Sequence, residues 1–148
     1  MTLYEKLDFI ADSYNPLLFL FALYITINIF TKSKNKGIIK GVLLTTLLAT
    51  VYIVQALDNS FGAWSYFNSD YSTHTAFSFA LVMFFIYESK KQIIIVISSF
   101  ILYLVLMLYQ QYHTLTDILS TIAILSPIMY FLAYYSQLQL TRTSTRQK

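Results

Sequence analysis

The 148-residue sequence has no cysteine, only two histidines, and few charges, with 11% Asp, Glu, Lys and Arg. The absence of cysteine excludes disulfide frameworks, thiolate metal sites and cysteine nucleophiles. Two histidines cannot build a multi-histidine metal centre without carboxylate help, and no metal or other cofactor is expected. An average soluble domain is roughly 25% charged, so an ordinary water-soluble fold is excluded. A disordered chain needs high charge and few aromatics, whereas 18% of these residues are aromatic. The N-terminal residues carry Glu5, Lys6, Asp8 and Asp12. They lack the basic n-region of a cleavable signal peptide.

What is present is apolar. Hydrophobic residues make up 57% of the chain and the mean hydropathy is +0.58. The length fits one domain. The class is a polytopic membrane protein, all-α, a helix bundle. A spanning helix needs about 20 apolar residues, with a floor near 17. Five segments approach this, at about 16–30, 38–57, 72–87, 92–109 and 117–135. Pro16 suits a first helical turn, and Pro127 is expected to kink the last helix. Leu3, Leu7 and Ile10 recur at helical spacing, which predicts an interfacial N-terminal segment over 1–15. Residues 16–136 form the expected bundle, and 137–148 a polar cytoplasmic tail, disordered from about 141.

The net charge of +3 reports orientation rather than nucleic-acid binding. Lys32, Lys34, Lys36 and Lys40 lie between the first two segments. Lys90 and Lys91 lie between the third and fourth, and Arg142, Arg146 and Lys148 follow the fifth. These are alternate connections, so nine of the ten basic residues fall on one side. That side is predicted to be cytoplasmic. The N-terminus is then outside and the C-terminus inside.

The expected outer face collects the ionisable groups Asp58, Asp70, His74, His113 and Asp117. Ionisable groups at a membrane segment are functional-site candidates. Ser72 is a good N-cap, and it places His74 in a first helical turn. Unbonded N–H groups at such an end favour phosphate. His113 and Asp117 are four apart, which on a helix is one face. A carboxylate there accepts one imidazole proton and leaves the other nitrogen as nucleophile or base. The bland reading is that each histidine caps a helix or bonds at the interface.

At these residues the chain resembles the type 2 phosphatidic acid phosphatase superfamily of integral membrane phosphatases and phosphotransferases. Tyr71-Ser72-Thr73-His74 is similar to the family's Pro-Ser-Gly-His at a helix start. His113 to Asp117 is similar to its His-x-x-x-Asp, two helices later with one helix between. The likeness covers about residues 57–127. The chain departs from the family pattern in the loop before the first motif, where 51–71 holds no Lys, Arg or Pro. Met107 stands where the family has an Arg, and Thr73 stands for its glycine. Asp70, and Tyr112 beside His113, are similar to the sphingomyelin-synthase-like branch.

The resemblance implies that His113 attacks phosphorus, Asp117 orients it, and His74 protonates the leaving oxygen. It implies that Ser72 and Thr73 hold phosphate, on a membrane lipid or lipid phosphate substrate. Asp70, Asp58 and Tyr71 are the candidate head-group contacts, on charge and cation–π grounds. Two other readings remain open. One is a non-catalytic relative, a lipid-binding or scaffold subunit, favoured by the missing cations. The other is a small carrier or channel component with a histidine proton relay, for which Thr45, Thr46, Thr50 and Gln55 are the only deep polar run. The oligomeric state is not legible in the sequence.

Overall fold

The computed structural model describes residues 2–88 and 90–145, without the side chains of Phe67 and Lys90. Arg146 and Lys148 of the basic C-terminal cluster lie outside the described residues. Five helices follow one another: α1 (Leu3–Lys32), α2 (Lys34–Phe61), α3 (Thr73–Phe85), α4 (Lys90–Tyr109) and α5 (Leu115–Thr145). A single 3₁₀ turn, Ser65–Phe67, interrupts the loop between α2 and α3. No strand occurs among the described residues. The fold is an all-α bundle.

Four of the helices, α1, α2, α4 and α5, are long and apolar enough to cross a membrane. The third expected span is the exception. α3 has 13 residues, about 20 Å at 1.5 Å per residue, against a hydrocarbon core of about 30 Å. Beyond its first turn it is largely apolar all round because it is enclosed by its neighbours. α3 packs against α1, α2, α4 and α5, and Ala76, Ala80, Leu81, Phe84 and Phe85 are almost wholly enclosed. The outer faces of the long helices instead expose Leu20, Ile27, Ile101, Leu102 and Phe131. That apolar exterior fits lipid, so the chain is a multi-pass membrane protein.

Both terminal expectations change. α1 does not start at Pro16 but at Leu3, because Thr2 and Glu5 form a reciprocal capping box. Residues 3–15 are thus the first turns of the long helix, and Pro16 lies inside it. Proline has no N–H, so the carbonyl of Asp12 loses its helical partner there. At the other end α5 runs on to Thr145. The hydroxyls of Thr141, Thr143, Ser144 and Thr145 donate to carbonyls four residues back. The polar tail as far as Thr145 is therefore satisfied within the helix. Pro127 stands inside α5.

α1 and α2 are joined by Ser33 alone. Such a tight reversal needs a small residue where the helices meet. A Cβ on Gly37 would lie 2.3 Å from Cα of Phe30, and a backbone atom cannot swing aside. We expect Gly37→Ala to cost about 1–3 kcal/mol by overpacking, read as a lower melting temperature in detergent. An unchanged melting temperature would show that the hairpin is looser than described.

Candidate functional site

The loop from α2 to α3 is held by its own aromatic residues. Gly62 ends α2 in the left-handed conformation, φ 62°, where a side chain would be strained. The Trp64 backbone N–H donates to Asp58 Oδ1 at 2.9 Å, and its indole N–H to Ser120 Oγ at 3.0 Å. Tyr71 packs edge-on to Trp64, and its hydroxyl donates to the Val51 carbonyl at 2.9 Å. Burial, then the nearby Asp58 carboxylate, push the Tyr71 phenol up. Asp58 and Tyr71, expected as head-group contacts, thus serve to pin the loop. The Asp70 side chain is exposed.

Ser72 caps α3 as expected, but it has no exposed surface. Its Oγ accepts from the Thr75 N–H at 3.3 Å and donates to Thr75 Oγ1 at 2.8 Å. Its own N–H donates to Thr121 Oγ1 at 3.1 Å. The hydroxyl expected to hold phosphate is used inside the protein. Thr73 is half-buried and His74 exposed, both in the first turn of α3. Helical carbonyls cannot satisfy N–H groups at that end.

His113 lies just before α5, not on it, since that helix starts at Leu115. Left-handed backbone at Gln111, φ 59°, turns the chain there. Tyr112 then ties the turn to α1 by donating to Asp8 Oδ1. The His74 and His113 rings are brought to 6.3 Å between centroids, at 51°. His113 Nδ1 is 3.9 Å from Asp117 Oδ2, an ion-pair separation but beyond a hydrogen bond. The Asp117 oxygens have other partners. Oδ1 accepts from the Asp70 N–H and Oδ2 from the Thr114 N–H, both at 2.8 Å. The Asp117 N–H donates in return to Thr114 Oγ1 at 3.2 Å. Asp117 therefore closes a capping box at α5 and clasps the strand of chain that leads to Ser72. The Thr-x-x-Asp spacing over 114–117 is its sequence signal.

The sequence reading missed the neighbours of His74. Asn15 donates to the His74 carbonyl at 3.3 Å and to the Tyr103 hydroxyl at 3.4 Å, while its buried Oδ1 has no partner. An amide beside Pro16 in an apolar run was the available clue. A cavity of about 470 Å³ opens here, lined by Asp12, Asn15, Phe19, Tyr52, His74 and Phe77 among others. No cation lines it. The Thr45, Thr46 and Thr50 hydroxyls of the carrier reading donate to their own helix carbonyls. Among the described residues no group of three or more His, Asp or Glu is placed to hold a metal ion.

Burial pushes the His113 imidazole below its ordinary 6.5. The Asp117 carboxylate opposes this, His74 adds to it, and Asp70 opposes it. As pH falls through 6.5 the unfolded chain takes up this proton before the folded one. Folded stability is therefore lost as pH drops through that window, and none is lost above it. We expect His113 to titrate below pH 6.5 by NMR of its ring protons in detergent, a resonance assigned with His113→Ala. A midpoint above 6.5 would mean that the carboxylates outweigh burial.

The chain matches no protein-family model, no curated protein and no solved structure. Its fold and site define a multi-pass, all-α membrane bundle that presents two histidines together at one end.

Proposed function

We propose that the protein is an integral membrane phosphatase or phosphotransferase acting on a lipid-linked phosphate through a phosphohistidine. The observation that carries this is the pairing of His74 with His113, 6.3 Å between ring centroids, beside the carboxylate of Asp117. At that spacing two nitrogens can flank one phosphoryl group, with reacting atoms about 3–3.5 Å apart. Asp117 faces Nδ1 of His113, which leaves Nε2 to attack. A P–N bond forms as the ester P–O bond breaks, and protonated His74 gives its proton to the leaving oxygen. Neutral His74 then takes a proton from water or an acceptor alcohol. That oxygen attacks phosphorus and the P–N bond breaks. The Thr73 hydroxyl and the N–H groups of Thr73 and His74 hold phosphate oxygens, since the Ser72 cap takes that of Thr75.

Asp12 and the rings of Phe19, Tyr52 and Phe77 line the cavity beside His74. A carboxylate with aromatic faces suits a cationic head group, and a cation-poor site disfavours a dianion. Zwitterionic phosphodiesters are thus preferred over phosphate monoesters. The test is phosphate or head-group release by purified protein from both lipid classes, with and without chelator. Faster metal-independent turnover of the monoester would reverse the preference, and turnover of neither would remove the reading. The burial of Ser72 and the lack of a Lys or Arg among the described lining residues favour a second reading, a non-catalytic lipid-binding or scaffold subunit.

The site is assigned to the extracytoplasmic side, because the described cations other than Lys6 lie at the opposite end. Ser33 makes no side-chain cap bond and lies at that basic end, while exposed Ser65 lies in the α2–α3 loop, at the end of the bundle that carries the histidines. With single cysteines at these positions, an impermeant reagent on intact cells should label only Ser65→Cys. Labelling of Ser33→Cys alone would invert the orientation.

A further inference from the structure

The end of the bundle away from the histidines contains a second polar cavity, of about 390 Å³. Lys36 and Lys40 of α2, Tyr87 and Glu88 after α3, and Gln137 and Thr141 of α5 face it. Lys40 is 4% exposed. Its Nζ donates to Glu88 Oε1 at 2.5 Å and stands 4.9 Å from the centroid of the Phe84 ring. An ammonium carries three donors. One is taken by Glu88, and the charge rests on a ring face, so donor capacity remains toward the cavity. Lys36 is half-buried and has no carboxylate partner among the described residues. Among the described residues Glu88 is the only acidic side chain at this end, against Lys32, Lys34, Lys36, Lys40, Lys91 and Arg142.

Depth and chemistry both point to lipid. α2 has 28 residues, about 42 Å, which exceeds a hydrocarbon core of about 30 Å. Lys36 and Lys40 stand in its first two turns, at head-group level. The Thr141 hydroxyl donates to the Gln137 carbonyl, and the Ser144 hydroxyl to the Leu140 carbonyl. Their oxygens are left as acceptors. We infer that this cavity binds the head group of an anionic phospholipid, with its phosphate on Lys36 and Lys40 and its hydroxyls on Thr141 and Ser144. Basic pockets between membrane helices bind such head groups. The site is independent of the histidine chemistry.

The test uses the purified protein in nanodiscs of phosphatidylcholine mixed with phosphatidylglycerol, with retained lipid counted by native mass spectrometry. Wild type is expected to keep one phosphatidylglycerol. Lys36→Gln leaves the Lys40–Glu88 pair intact, and should bind it about tenfold more weakly, the loss of one charge-assisted hydrogen bond. Lys34→Gln, outside the cavity, should bind it as wild type does. The double variant Lys40→Met/Glu88→Leu replaces the pair without stranding a charge, and should also lose the lipid while remaining folded by melting. Retention by Lys36→Gln at the wild-type level would overturn the site. Equal loss in Lys34→Gln would reduce it to diffuse surface charge, and displacement of the lipid by inorganic phosphate would make it a free-phosphate site.

Discussion

His113→Ala is expected to lower lipid-phosphate turnover by more than about a thousandfold, the scale on which removal of a covalent nucleophile is felt. The fold should survive. His113 is half-buried in a connecting loop, and that loop is held by the Tyr112 bond to Asp8 and the Thr114 bond to Asp117. His74→Ala should cost about a hundredfold or more, as loss of a general acid does. Its side chain is exposed, and its carbonyl, which the variant keeps, accepts from Asn15 and Ser78. Melting curves that match wild type, together with lost turnover, are the expected pair of results. A folded His113→Ala protein that still releases product at the wild-type rate would end the phosphohistidine mechanism.

Asp117→Ala should be the most destabilising single change at this end. It removes the acceptor of two backbone N–H groups, those of Asp70 and Thr114. Each unsatisfied group costs about 1–3 kcal/mol where water does not reach it. Asp117→Asn keeps one acceptor oxygen and should lose about half as much stability. Under the proposed mechanism it should also keep some turnover, since the carboxylate would position His113 rather than react. Thr114→Val breaks only the reciprocal bond, and should cost about 1 kcal/mol, as a lost helix cap does. Thermal melting in detergent orders the three variants. If Asp117→Ala melts with wild type, the carboxylate does not hold the two loops together.

Much of the architecture is legible in the sequence, because apolar length and helical spacing are local properties. The scarcity of charge and the runs at 16–30, 38–57, 92–109 and 117–135 require membrane helices. The alternation of connections places both histidines at the end away from the basic loops. The extents of α1 and α5 were also written locally. The Thr2–Glu5 capping box and the run of back-bonding hydroxyls after Gln139 outweigh Pro16 and polarity as boundary marks.

The tertiary structure alone decided which polar groups remain available. Ser72 faces Thr121, 49 residues away, and Tyr71 reaches Val51, 20 residues back, so both are spent on holding the loop. Asn15 meets the His74 carbonyl across 59 residues, and Lys40 meets Glu88 across 48. α3 reads as a short span in sequence, yet its neighbours on four sides make it the centre of the bundle. A hydrogen bond between distant segments depends on how helices pack, and packing is set by the summed burial of many side chains. No local pattern records that sum, so the sequence names the chemical groups and the fold determines which of them face the cavity.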